Sequence, residues 1–528
     1  MNVLFISIDS LRRDVLDAYF DSPQFADYDV ATPNFDRFAE RAATFETHYA
    51  GSLPCMPTRR EWLTGTKEFL WRPWGPIEPF DDTIPRLARH NDAVTQLITD
   101  HYHYFQHGSG GYYEDFNGFE FVRGHEFDAW KTSPYDPDEE FVSQITNPSA
   151  DDVHGTGYMN RTVYARNAAE FNNEEDFFPA KVFSKTADWL ADNREWPQWF
   201  CYVDSFDVHE PFHVPEPYAS MYTDEDPKDP DLPFWPFYGP VSGDTGELSE
   251  RAKQKNPDAH GQSALSERQL EFVRSQYAGN VTFADEWFGR VLDQLDADDR
   301  WNDTVVIVTS DHGFYLGEHG WMGKPEAPLY DVLAHTPLFV WHPESDLMGE
   351  RIPQLTSAID LYATILDALD LEDADPVHSK SLTPLLHGET AEHRDYALYG
   401  YWGSSVNVTD GEYTYLRACD ESVESHCHST TMMNSHAWFT PARPELNAES
   451  GKFLPYTDTP IWRYLAPSYA RNEETALYDR VDDPWQQRNL VDERPEAHDR
   501  LRTLLGEALD DLGAPTAQYD RLGLPSPT

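Results

Sequence analysis

The sequence predicts an α/β protein: a mostly parallel central sheet flanked by helices, then a smaller C-terminal subdomain with an antiparallel sheet. Three observations predict it. Short apolar runs rich in β-branched residues alternate with longer stretches of helical periodicity, the pattern of βαβ units. The runs lack the polar alternation of half-exposed strands, so they suit strands covered on both faces. Beyond about residue 380 the runs become short and turn-separated, as in an antiparallel sheet. The boundary therefore falls between an α/β unit, 1–380, and a subdomain, 381–528, closed by a terminal helix.

In chain order, Val3–Ile8 reads as a continuous apolar strand. Thr32-Pro33 opens a helix that carries Phe35, Phe38, Ala39 and Ala42 at helical spacing. Pro57–Leu63 reads as a short helix closed by Gly65, Val94–Thr99 as a strand, Ala180–Ala191 as an amphipathic helix and Trp199–Val203 as a strand. A long helix spans roughly Leu265–Leu295, and Thr304–Thr309 is a strand of almost pure β-branched residues. Pro337–Trp341 and Ala358–Leu369 continue the strand–helix alternation. Tyr396–Tyr401, Ser405–Thr409 and Tyr413–Arg417 supply the antiparallel strands, and a helix near Glu496–Leu512 ends the chain. Glu210–Gly261 and Asp420–Tyr456 read as long excursions able to roof a pocket.

A chain of 528 residues with 40% hydrophobic and 14% aromatic content can bury a large core. Its formal net charge is −53, and Lys is scarce, at ten residues against thirty Arg. The acidic excess is spread along the whole chain, which reads as a halophile-type surface rather than an acidic tail. Such a field repels polyanions and excludes nucleic acid as a partner. A small anionic substrate remains compatible, because a local basic pocket reverses the sign and salt screens the rest. The first apolar run is too short for a signal h-region and lacks a basic flank, and no stretch approaches a membrane span. A soluble, cytoplasmic protein is the expectation. Four Cys (55, 201, 419, 427) make no disulfide framework, and free thiols are expected, a Cys419–Cys427 pair being the alternative.

The chemistry concentrates in Cys55-Met56-Pro57-Thr58-Arg59. Composition predicts only about 0.02 chance occurrences of Cys-x-Pro-x-Arg. The motif puts a reactive side chain at a helix N-terminus, where N–H groups and the dipole favour an anion, and Arg59 adds a planar fork for tetrahedral oxyanions. Asp9 falls just past the first strand and Asp311-His312-Gly313 just past Thr304–Thr309, where open α/β sheets line their ligand crevice. Asp9, Asp311, His312 and Cys55 form a reasonable shell for a divalent metal, although Asp9 alone suits a helix cap and Asp-His-Gly alone a turn. His209 follows the strand that begins at Trp199 and can donate a proton or bind an oxyanion. Lys324 can place positive charge on a substrate. Their plainer readings are a strand-end histidine and a solvated lysine. His101 and His103 follow Val94–Thr99, and their spacing allows one shared site or opposite faces.

Together these residues resemble the type I sulfatases of the alkaline phosphatase superfamily, along most of the chain. Cys55 to Arg59 with Leu63-Thr64-Gly65 is similar to the sulfatase signature, and Ser310-Asp311-His312-Gly313 with Leu316 to Gly320 and Lys324 to its second block. Leu477-Tyr478-Asp479 through Asn489-Leu490 is similar to the family's C-terminal strand and turn. The resemblance implies an alkaline-phosphatase-like fold and conversion of Cys55 to Cα-formylglycine by a dedicated generating enzyme. It implies one divalent metal, Ca2+ before Mg2+ or Mn2+, held by Asp9, Asp311, His312 and modified Cys55. Arg59 would orient the aldehyde hydrate. His209 and Lys324 would bind sulfate, and one of them would protonate the leaving oxygen. The implied reaction is attack of the hydrate on sulfur, expulsion of the alcohol, and collapse to the aldehyde with release of sulfate. The substrate would be a small-molecule or carbohydrate sulfate ester.

Three departures stand out. Ser10 occupies the place of a second acidic ligand, His312 that of a frequent Asn, and His101-Tyr102-His103 that of a Lys-x-His motif near the sulfate, so that binding there could respond to pH. They keep a second reading open, a phosphonate monoester hydrolase or phosphodiesterase with the same nucleophile. A third is a non-catalytic sulfoglycan-binding protein whose Cys55 remains a thiol.

Overall fold

A computed structural model describes residues 1–20, 23–106, 109–135, 137–146, 161–241, 265–324, 329–371, 378–434, 440–441, 447–466 and 474–526. Its eight-stranded central sheet runs in the order Arg351–Ser357, Ala43–Tyr49, Leu338–Trp341, Thr304–Thr309, Asn2–Ile8, Trp199–Ser205, Val94–Thr99, Gly118–Phe121. Every neighbouring pair is parallel except the two made by Leu338–Trp341, which runs against both its partners. The sequence placed a strand there but not its direction.

Asn2–Ile8 is buried along its whole length because each face is covered. Leu4, Ile6 and Ile8 pack with the helices Phe178–Asp192 and Glu267–Ala297, and Val3 and Phe5 pack beneath Cys55–Thr64 and Asp360–Leu369. Two covered faces are why the strand reads as an unbroken apolar run.

Most elements lie within a few residues of their expected bounds, and the differences have local causes. Thr32 makes no side-chain cap to the helix Pro33–Ala39. That helix is capped from outside: the amides of Asn34 and Phe35 donate to Asp285, on the long helix, at 3.1 and 2.7 Å. The long helix itself opens with a Ser266–Gln269 capping box. The signature helix begins at Cys55, two residues before the expected Pro57, and ends at Thr64. Gly65 closes it in the left-handed region (φ 64°), and a Cβ there would come within 2.5 Å of the Tyr362 ring.

A second, five-stranded sheet takes Ala476–Asp479, Tyr413–Arg417, Val406–Thr409, Ala397–Tyr401 and, unexpectedly, Ser52–Leu53. The last pair is parallel and the others antiparallel. The helix Pro495–Asp511 packs Leu501, Leu505 and Leu509 against Val408 and Tyr415 in one buried cluster, and Thr516–Leu522 adds a final helix absent from the sequence reading. In the first excursion Phe234, Trp235 and Phe237 are buried in the core, while 242–264 lie outside the described residues. In the second, His426–Ser429 pairs with Ile461–Leu465, and Trp438 and Phe439 lie outside the described residues. All four cysteines are buried and free, so Cys419 and Cys427 are not bridged. Among the described residues no helix is long and apolar enough to cross a membrane.

Candidate active site

The parallel register delivers the singled-out residues to one edge of the sheet. Asp9 leaves Asn2–Ile8, Asp311 and His312 leave Thr304–Thr309, His209 follows Trp199–Ser205, and His101 and His103 follow Val94–Thr99. Cys55 is the first residue of its helix, and Lys324 directly follows the short strand Trp321–Gly323. All of these are buried.

One ligand atom each from Asp9, Cys55, Asp311 and His312 lies within 4.8 Å of all the others. Cys55 Sγ is 3.4 Å from His312 Nε2, which is 3.4 Å from Asp311 Oδ2 and 4.0 Å from Asp9 Oδ1. His312 Nδ1 is 2.9 Å from the Gly313 carbonyl oxygen. A carbonyl only accepts, so Nδ1 carries the proton and Nε2 turns its lone pair toward the cluster. That is the tautomer and second-shell bond expected of a metal-binding histidine. Two carboxylates, an imidazole lone pair and a sulfur therefore fit a divalent cation. Ser10, in place of another acid, donates its hydroxyl to Asp9 Oδ1 at 2.8 Å and its amide to Asp311 Oδ1 at 3.2 Å.

Arg59 lies beneath this cluster, one helical turn after Cys55. It donates to Asp9 at 3.0 Å, to Asp311 at 2.6 Å, and to both oxygens of Asp204 at 2.8 Å each. It also reaches the Cys55 carbonyl at 3.0 Å. Burial disfavours its charge, but Asp204, Asp311 and Asp9 outweigh that and hold it further above its ordinary value. Burial alone would raise the Asp9 carboxyl. Lys324 and Arg59 overcome it and keep Asp9 well below the usual carboxylate range. Burial, and then the charge of Asp9, push the Cys55 thiol well up, so the encoded cysteine is not poised as a thiolate.

Lys324 Nζ is 3.6 Å from Cys55 Sγ, 3.4 Å from Asp9 Oδ1 and 3.1 Å from Ser10 Oγ. His209 donates from Nδ1 to the Glu210 carbonyl at 2.6 Å, which leaves Nε2 as an acceptor, and its ring stacks on Phe206 at 4.1 Å. His101 and His103 share a side, with ring centroids 5.0 Å apart. His101 lies 4.0 Å from Asp9 Oδ2 and 3.5 Å from Asp204 Oδ2, without a hydrogen bond to its ring. Burial holds His101 and His209 well below the ordinary histidine value, and brings His103 to about 3, so all three are neutral near pH 7.

Sequence reasoning gave no role to three carboxylates here, although Glu210 lay in the segment Asp207–Pro211 singled out for His209. Asp204 forms the bidentate pair with Arg59 and also accepts from Ser7 at 2.6 Å and Tyr104 at 2.7 Å. Its signal was a lone acid in the strand Trp199–Ser205, with its partner Arg59 145 residues away in sequence. Glu210 accepts from the Tyr238 hydroxyl, and Glu126 Oε2 lies 3.6 Å from His103 Nε2. Burial raises Glu210 to about 7, and burial together with Glu210 raises Glu126 to about 8.

Solved structures share the whole fold. A phosphonate monoester hydrolase of Agrobacterium radiobacter superposes with a TM-score of 0.63 at 19% identity, covering 97% of this chain and 96% of that one. A protein solved with its substrate D-glucosamine-2-N,6-O-disulfate gives 0.61 at 15% identity, covering 97% and 98%. The fold is alkaline-phosphatase-like, and the polar cluster lies at the strand ends, where open α/β sheets bind their ligands. Residues 1–371 match the sequence model of the Sulfatase family, and the chain belongs to that family. An arylsulfatase of Clostridium perfringens is 23% identical over 408 residues, 75% of this chain and 80% of that protein. The chain is a sulfuric ester hydrolase.

Proposed function

We propose that the working residue at position 55 is formylglycine, made from the cysteine by a generating enzyme, beside a divalent cation held by Asp9, Asp311 and His312. The observation that carries this reading is the cluster itself: four buried ligand atoms from three separate segments, with His312 locked in the ligating tautomer. A formylglycine hydrate would supply the attacking oxygen, and a dication would lower its proton affinity and offset the charge of the ester. Lys324, 3.6 Å from Cys55 Sγ, is the cation best placed to pair with a sulfuryl oxygen. Arg59 acts indirectly, holding Asp9 and Asp311 in the geometry that a cation requires. His209, through a proton gained at Nε2, and the pair His101 and His103 would bind the sulfate oxygens alongside Lys324. The departing alkoxide takes its proton from Lys324 or from a histidine that has first acquired one. Residues 1–380 form the catalytic unit of this reading and 381–528 the subdomain that closes it.

A sulfated carbohydrate is the preferred substrate class, in keeping with the structural relative solved with a disulfated glucosamine. The phosphonate monoester hydrolase neighbour keeps a second assay necessary. Parallel measurement of an aryl sulfate and a phosphonate monoester should give the higher kcat/KM for the sulfate, and the reverse order would overturn the choice. Mass spectrometry of the Cys55 peptide from the native host should show aldehyde in place of thiol. A thiol there would argue for a binding protein instead. Chelation should abolish turnover, and the ion that restores it at the lowest concentration identifies the resident metal: the family resemblance favours Ca2+, and the His312 imidazole suits Mn2+ as well.

The net charge of −53 supports adaptation to concentrated salt. Activity and near-ultraviolet circular dichroism should fall together when molar salt is diluted to about 0.1 M, as self-repulsion is unscreened. Indifference to salt would remove the halophilic reading.

A further inference from the structure

Beyond the Asp9 cluster, a second set of ligands converges at the same edge of the sheet. Asp100 follows Val94–Thr99, His125 follows Gly118–Phe121, and Asp207 follows Trp199–Ser205. Their relative exposures are 0, 1 and 4%, and one ligand atom of each lies within 4.8 Å of the other two. Among the described residues no Lys or Arg pairs with either carboxylate. Neither ring nitrogen of His125 is hydrogen-bonded, and neither is Asp100 Oδ2. Three buried polar atoms without hydrogen bonds beside two carboxylates is a costly arrangement for a protein interior.

The distances carry the argument further. His125 Nε2 is 3.4 Å from Asp207 Oδ1. An imidazolium–carboxylate bond would close to about 2.7–2.9 Å. Two ligands of one metal ion, each about 2.0–2.1 Å from it at the tetrahedral angle, stand about 3.3–3.4 Å apart. The set is also held in place. Asn280 donates to Asp207 Oδ1 at 2.8 Å, and the His125 ring packs against Phe178 and Phe206, with centroids at 4.5 and 4.7 Å.

We propose that Asp100, His125 and Asp207 form a second metal site, which binds a transition-metal dication such as Zn2+ or Mn2+ and is separate from the Asp9 cluster. The imidazole donor among carboxylates selects such an ion over Ca2+ or Mg2+, which prefer all-oxygen shells. Its role is positional. His101 and His209 pack against Phe206, at 4.2 and 4.1 Å, and Phe206 also touches His125. An ion here pins three loops, two of which carry the histidines of the candidate active site, and touches no substrate.

The test is metal stoichiometry by elemental mass spectrometry on full-length protein loaded with Zn2+ or Mn2+ and desalted. A background variant, Asp9→Asn with His312→Ala, disables the first cluster. It should retain one equivalent per chain, and adding His125→Gln should remove it. Wild type should hold one equivalent more than His125→Gln alone. A background variant that binds none overturns the proposal and leaves a buried Asp–His–Asp ion pair in its place. So does an equivalent that survives His125→Gln. If the combined variant does not fold, wild type against His125→Gln still decides the matter.

Discussion

Cys55→Ala is expected to lower kcat for an aryl sulfate by roughly 10⁴–10⁶, the range seen when an enzymatic nucleophile is deleted. The fold should survive. Cys55 is 2% exposed, but the change removes a single sulfur atom and no hydrogen bond that secondary structure depends on. A stability loss of no more than about 1–2 kcal/mol follows for so small a truncation. Cys55→Ser separates two accounts of the nucleophile. A plain hydroxyl can attack but has no second oxygen with which to expel sulfate, so at most one equivalent of alcohol per chain should appear before turnover stops. Steady turnover by either variant would remove Cys55 from the reaction.

Arg59→Leu is expected to give the largest loss of stability of any single substitution at the site, about 3–5 kcal/mol. Arg59 and its three partners Asp9, Asp204 and Asp311 are all 0% exposed. Removing the guanidinium leaves three carboxylates close together with Lys324 as the nearest cation. Against a total stability of about 5–15 kcal/mol for an ordinary domain, that is a large fraction. Arg59→Lys should recover only part of it, because an ammonium cannot form the two-pronged pair with Asp204 while also reaching Asp311. Denaturant midpoints measured in the presence of chelator check the ranking. A loss below about 1 kcal/mol for Arg59→Leu would mean that the carboxylates are neutralised by something other than this side chain.

Features written in one short stretch of sequence were legible. Thr304–Thr309 has the bounds read from sequence, because a run of β-branched residues between turn formers has one stable solution. Asp9, Asp311 and His312 could be placed together, since strand ends of a parallel sheet share an edge whatever the strand order. Strand direction was not legible: Leu338–Trp341 is apolar throughout and would look the same running either way. Nor was the cap on Pro33–Ala39, whose acid comes from position 285. Asp204 illustrates the same limit at the site, where a buried carboxylate acquires its meaning from an Arg 145 residues away. Asp100 and His125 lay in no motif and Asp207 only in the segment read for His209, and only the fold brings the three together.

The strand Ser52–Leu53 sets a deadline. It ends just before Cys55 and is completed by Ala397–Tyr401, so the polypeptide around Cys55 cannot settle until the ribosome has added more than three hundred residues. At about 5–20 residues per second, that interval is roughly 20–70 seconds. Once the pairing forms, the backbone just ahead of Cys55 is held in the sheet and the side chain at 55 is buried. Under the proposed maturation, the enzyme that acts on Cys55 would compete with chain completion. Synonymous codons or a paused ribosome between positions 55 and 397 would tune the fraction of molecules that leave synthesis able to work.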